Sequence, residues 1–203
     1  MTSPAHRIAH GTADATGSPR AAGPRLLPPS ADEYAPVFAD EIALVPTDAP
    51  DFAELLAHQH ERMRALVADF GDANAALRYA PEKWTVREVI GHLSDCERVL
   101  SYRMLRALRA DAVTVPGFDH VGYVPAGHFE RRALADVLDE FSAVRSATVA
   151  LVRSAPAQAF DFRLHVGSGS ITARALAYLI AGHERHHLAL LRDRYRPLAT
   201  SCS

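Results

Sequence analysis

Cysteine is scarce in this chain: Cys96 and Cys202 are the only two among 203 residues, too few for a disulfide framework and in keeping with a reducing compartment. Long apolar runs are missing as well. None approaches the ~20 residues that a membrane-spanning helix needs. The opening stretch MTSPAHRIAHGTADATG has no continuous apolar core of the kind a secretory signal carries, so the expected location is the cytoplasm, with no membrane partner. Charge of one sign does not accumulate either. The formal net charge is −2 and no long Lys/Arg run occurs, which argues against a nucleic-acid surface. There is also no serine nucleophile elbow, no glycine-rich phosphate loop and no dinucleotide fingerprint, so the chemistries that depend on them lose ground.

What is present is enough apolar content, 48%, for a full core in one domain plus a tail. Residues 1–32, rich in Ala, Pro, Ser and Gly without periodicity, are expected to form a disordered extension, and residues 33–203 a single domain. Glu33 to Pro50 reads as an irregular lead-in whose Tyr34, Phe38, Ile42 and Val45 need cover. A first helix is expected from Asp51 to Phe70, where Phe52, Leu55, Leu56, Met63, Leu66, Val67 and Phe70 keep a helical period, with His58 and His60 solvated off that stripe. A second spans Thr85 to Ala110, a third Phe129 to Ser154 on Leu134, Val137, Leu138, Phe141, Val144 and Leu151. A fourth runs from Ser170 or Thr172 to Tyr195, before Pro197. The expected class is all-α: a four-helix bundle with an irregular N-terminal extension.

The stretch AGHERHHLALLRDRY carries the most specific chemistry. His183 and His187 are four residues apart, which puts both imidazoles on one helix face where two neutral rings can share a divalent metal. They continue the apolar stripe of Leu176, Leu179, Ile180, Leu190 and Leu191, so they are expected to point inward, where each ring nitrogen needs a partner. Such a pair alone is more often surface or hydrogen-bonded core histidines than a metal site, and a third ligand tips the balance. KWTVREVIGHLSDCERVL offers one: Val89, His92, Cys96 and Val99 share a face, and Thr85 with Glu88 has the form of a capping box that starts the helix about two turns before His92. His186 lies about 100° from His187 around the helix, which suits a supporting or interface role rather than ligation.

These motifs, with EYAPVFADEIALVP, RYAPEKWTVREVIGHLSDCERVLSYRMLRALRAD, VPGFDHVGYV and ITARALAYLIAGHERHHLALLRDRY, resemble the DinB/YfiT-like proteins over residues 33–203. The resemblance implies a four-helix bundle holding one divalent metal on a single histidine of the second helix and an H-x3-H pair of the fourth, here His92, His183 and His187. Zinc or nickel is expected, with manganese or iron as further candidates. It also implies a metal-dependent hydrolase, or an S-transferase that adds a small thiol such as bacillithiol, mycothiol or glutathione to an electrophilic substrate. A homodimer is expected from the resemblance and from Leu100, Leu105 and Leu108, more apolar residues than one core accommodates. Cys96 departs from the pattern. As a fourth ligand it would close a tetrahedral shell, giving a non-catalytic, stress-related protein with a structural metal, whereas three protein ligands leave room for water and substrate. A helical interaction module with vacant histidines is a third class.

Several residues have two readings. The long connection from Asp111 to His128 holds Phe118, Asp119, His120, Tyr123 and His128, and is either a functional loop or a crossover along the bundle. Gln158 to Gly169 is a candidate wall of a pocket mouth. Trp84 is expected as a staple under the bundle end ahead of a substrate contact. Asp95, Glu97, Arg98 and Glu184 are read as solvated faces or interhelical pairs, any one carboxylate of which can orient a ligating imidazole.

Overall fold

The computed structural model describes residues 22–199. Two 3-10 turns and a short helix α1 (Ala39–Ala43) lead in, followed by α2 (Phe52–Phe70), α3 (Val86–Leu108), α4 (His120–Ala126) and α5 (Leu134–Ser154). Strands β1 (Arg163–Val166) and β2 (Gly169–Thr172) then precede α6 (Ala173–Leu190). The four long helices α2, α3, α5 and α6 form a bundle in which α2 and α3 each pack on both α5 and α6, so α2 lies diagonally from α3 and α5 from α6. No described helix is long and apolar enough to cross a membrane.

Side-chain caps set the helix starts. Asp51 accepts from the Glu54 N–H at 3.0 Å and Thr172 from the Ala175 N–H, while Thr85 and Glu88 complete the expected capping box. The third helix starts later than expected. Phe129–Arg131 is a separate 3-10 turn and Arg132 and Ala133 are extended, because the Phe129 ring plugs the space opposite Gly91, where a Cβ would meet it. Asp72 then supplies the cap that Ala133 lacks, accepting from the Leu134 N–H at 2.8 Å. At its far end α6 passes into a π-helical turn over Leu191–Tyr195. The short antiparallel hairpin β1–β2 adds to the all-α pattern. It pairs Arg163 with Thr172, and Val115 of the 111–128 connection bonds to it through the His165 carbonyl.

The lead-in covers the bundle. Ile42 and Val45 are buried, and a Cβ on Gly182 would run into the Glu41 carbonyl, so α1 and α6 approach at backbone distance. Of the stretch expected to be disordered, residues 1–21 lie outside the described residues. Within 22–32, Leu26 is buried and its carbonyl accepts from the Tyr178 hydroxyl at 3.0 Å. Leu100 and Leu108, expected at a dimer face, are buried in this chain's own core, and only Leu105 is exposed.

That core is in two halves. One gathers Leu56, Leu100, Met104, Val152, Leu176 and Ile180, the other Met63, Phe70, Val89, Leu93, Phe141 and Leu191. Between them lies a buried polar layer. Arg145 of α5 donates two hydrogen bonds to Glu97 of α3, at 2.8 and 2.6 Å, and one to Glu184 of α6 at 2.5 Å. Gln59 of α2 donates to the same Glu184 oxygen at 2.5 Å and to the Ala181 carbonyl at 2.8 Å. Burial alone would draw the Arg145 pKa down, but the charges of Glu97 and Glu184 outweigh it and hold the guanidinium above its ordinary value. His60, expected to be solvated, is buried in this layer with Nε2 2.9 Å from Ser142 Oγ and Nδ1 3.6 Å from Glu184 Oε1. It lies four residues after Leu56 and three before Met63, which puts it on the inner stripe. His58 is exposed as expected.

Truncating Arg145 to alanine leaves two carboxylates buried without a counter-charge, and such breaks cost about 3–5 kcal/mol. Urea denaturation of Arg145→Ala should show a loss of that order, and a loss under ~1 kcal/mol would mean that the layer is hydrated rather than sealed.

Candidate metal centre

His92, His183 and His187 meet beside this polar layer, and each offers a ring nitrogen within 4.8 Å of the others. His92 Nε2 lies 3.1 Å from His183 Nε2. Ligands held ~2.0–2.1 Å from a tetrahedral zinc are about 3.3 Å apart, so this spacing matches two donors to one ion. His92 and His187 are buried and His183 half-buried. Burial, reinforced by neighbouring imidazoles, draws His92 down to about 4 and His183 to about 3, and His187 well below the ordinary 6.5. All three rings are therefore neutral donors at physiological pH. The Nδ1 of His187 is buried with no hydrogen-bond partner among the described residues. A cluster of neutral imidazoles with an orphaned ring nitrogen suits a divalent cation, and three nitrogen donors suit zinc or nickel better than calcium or magnesium.

The groups around the triad have distinct roles. Cys96 Sγ lies 3.6 Å from His92 Nδ1 and 3.7 Å from Nε2, alongside the ring rather than in line with either nitrogen, and outside the three-histidine group. Burial, with the charges of Asp95 and Glu41, pushes its thiol up to about 12, so it behaves as a small apolar residue. His186 is exposed, its ring 5.0 Å from that of His187. Trp84, expected as a staple, lies against His92 with ring centroids 4.5 Å apart, and its carbonyl accepts from the Tyr195 hydroxyl at 2.7 Å. The π-helical turn that ends α6 is what brings Tyr195 there. Of the 111–128 connection, α4 carries the exposed His120 to 5.9 Å from the His92 ring.

A cavity of about 320 Å³ opens beside the triad, lined by Tyr79, Trp84, Val89, Val121, His187 and Leu190 among others. Its volume falls at the lower end of small-molecule sites. The polar layer lies behind the triad: Glu184 follows His183 directly in sequence, and Glu97 follows Cys96. Glu97 and Glu184 are therefore not solvated faces but buried partners of Arg145, whereas Asp95 and Arg98 keep to a surface network with Glu140. Arg145, which the apolar pattern passes over in favour of Val144, is buried on the inner stripe, while Val144 is only half-buried. The spacing of Arg145, four from both Phe141 and Val149, is the available signal.

The depressed histidine pKa values make a prediction about the metal-free protein. As pH falls below ~6.5 the unfolded chain takes up protons first, while folded His92 and His183 stay neutral until about 4 and about 3. Stability is therefore lost between those limits as pH falls, by up to ~1.4 kcal/mol per pH unit for each histidine. Urea denaturation of chelator-treated protein at stepped pH should show the decline, flattened in His183→Gln. Equal slopes in the two proteins would contradict it.

The fold has known counterparts. YfiT from Bacillus subtilis, described as "a probable metal-dependent hydrolase with an unusual four-helix bundle topology", superposes with a TM-score of 0.65 at 19% identity, over 77% of this chain and 94% of that one. The mycothiol-dependent maleylpyruvate isomerase gives a TM-score of 0.60 at 12% identity, over 78% of this chain and 64% of that one. No curated protein sequence matches the chain. The family model of the DinB superfamily matches residues 54–191, which take in the four bundle helices and all three histidines, and the chain belongs to that superfamily.

Proposed function

We propose that this protein is a divalent-metal-dependent enzyme, with His92, His183 and His187 as the metal ligands, that transfers a low-molecular-weight thiol to an electrophilic substrate. The observation that carries this reading is the convergence of three neutral imidazoles beside a ligand-sized cavity. A zinc or nickel ion held there supplies Lewis acidity, lowering the proton affinity of a thiol or water that reaches it. The chain supplies the rest. Trp84 covers one face of His92 and fixes its ring. Trp84, Tyr79, Val121 and Leu190 form an apolar wall against which the carbon frame of a reactant packs while water is excluded. His120 stands at the exposed side of the triad, placed to take the proton that the nucleophile releases.

The mycothiol dependence of one structural counterpart supports a thiol as nucleophile, and the description of YfiT makes hydrolysis the second reading. A closed structural site draws no support from Cys96, which lies beside the ring face of His92. A cytoplasmic homodimer remains part of the proposal, resting on exposed Leu105 and Tyr102.

The test is to load the protein with zinc or nickel and assay bacillithiol, mycothiol and glutathione against a panel of electrophiles. One ion per chain is expected, His183→Ala should lose both metal and turnover, and His58→Ala should keep both. His120→Asn should retain the metal while turnover falls roughly 100-fold. Full metal content in His183→Ala overturns the ligand assignment, and turnover by hydrolysis alone overturns thiol transfer.

A further inference from the structure

Three turns beyond His92 on the same stripe of α3, the groove between α3 and α6 opens into a second cavity of about 320 Å³. Phe38, Leu100, Ile171, Leu176 and Leu179 give it apolar walls, and Arg103 is its only charged lining residue. Arg103 is 8% exposed. One Nη2–H donates to the Pro116 carbonyl at 2.8 Å, and the guanidinium lies 5.1 Å from the Phe118 ring centroid. Among the described residues it makes no other hydrogen bond and faces no carboxylate, in contrast to Arg145 with two. Burial pulls its pKa below the ordinary arginine value with no acidic group opposing the shift. Yet a guanidinium stays charged in proteins, and the N–H groups of Arg103 that make no bond within the chain remain reachable by solvent and by an anion.

We propose that this cavity binds a small organic carboxylate whose apolar body fills the space between α3 and α6 while its carboxylate takes the free N–H groups of Arg103. The planar fork of one guanidinium matches one carboxylate. No second cation lines the cavity to balance a dianion such as phosphate, and the five apolar side chains need a hydrocarbon partner. The site stands apart from the metal triad, so it does not rest on the metal reading.

The experiment is calorimetric titration of the full chain, metal-free, with hexanoate, with the neutral isostere hexanamide, and with inorganic phosphate. Hexanoate should bind one per chain, at least ten-fold more tightly than hexanamide or phosphate. Arg103→Gln should weaken hexanoate at least ten-fold. Ala35→Trp, which places a bulky ring at the exposed rim and spares Arg103, should abolish binding while the far-ultraviolet circular dichroism stays native. Should Arg103→Gln fail to fold, the isostere ratio and Ala35→Trp decide. Equal affinity for hexanoate and hexanamide, unchanged binding in either variant, phosphate binding more tightly than hexanoate, or no binding at millimolar concentration would each overturn the proposal. Repeating the titration on metal-loaded protein should give the same affinity, which keeps this outcome separate from the fate of the metal centre.

Discussion

Everything at mid-bundle depends on the buried clamp between Arg145 and the carboxylates of Glu97 and Glu184. It ties α5 to α3 and α6, the two helices that carry the histidines, and Gln59 adds α2 through the same Glu184 oxygen. A layer of this kind specifies register. A slide of one turn in α3, α5 or α6 would separate charges that nothing else in the core can accept, and a slide of α2 would break the Gln59 bonds, so the helices are held where His92, His183 and His187 meet.

The clamp also sets the electrostatics. Two carboxylates share one guanidinium, which leaves the layer a negative formal charge short of balance by arginine alone, and Glu184 adjoins His183 in the chain. Burial meanwhile keeps the imidazoles neutral. A dication seated at the triad is thus met by neutral donors whose lone pairs are free at physiological pH. A protonated imidazole pair there would sit close to Arg145, whose charge opposes protonation of His183. Neutral imidazoles leave these lone pairs open to a metal without a proton having first to be displaced.

Much of this was legible in the sequence, because inward-facing polar residues announce themselves by phase. His92, His183 and His187 interrupt apolar stripes at helical spacing, and Thr85 with Glu88 marked the start of α3. Arg145 was harder to read. A lone charge on a stripe looks like a side chain reaching for solvent, and its partners lie 48 and 39 residues away on other helices. Read together, Glu97, Arg145 and Glu184 are inward-phase charges on three helices, and that coincidence is the signal a single-helix view misses. The hairpin β1–β2 left less trace. Strands of four residues are too short to show a period of two, and docking of Val115 completes their pairing.

The central claim is that three imidazole nitrogens, without the neighbouring thiol, converge on one ion. X-ray absorption spectroscopy of the zinc-loaded protein tests it directly, since nitrogen and sulfur scatter at separable distances. The account predicts a first shell of nitrogen or oxygen at about 2.0–2.1 Å with the outer-shell pattern of three imidazoles. A sulfur contribution at about 2.3 Å, or fewer than three imidazoles, would contradict it.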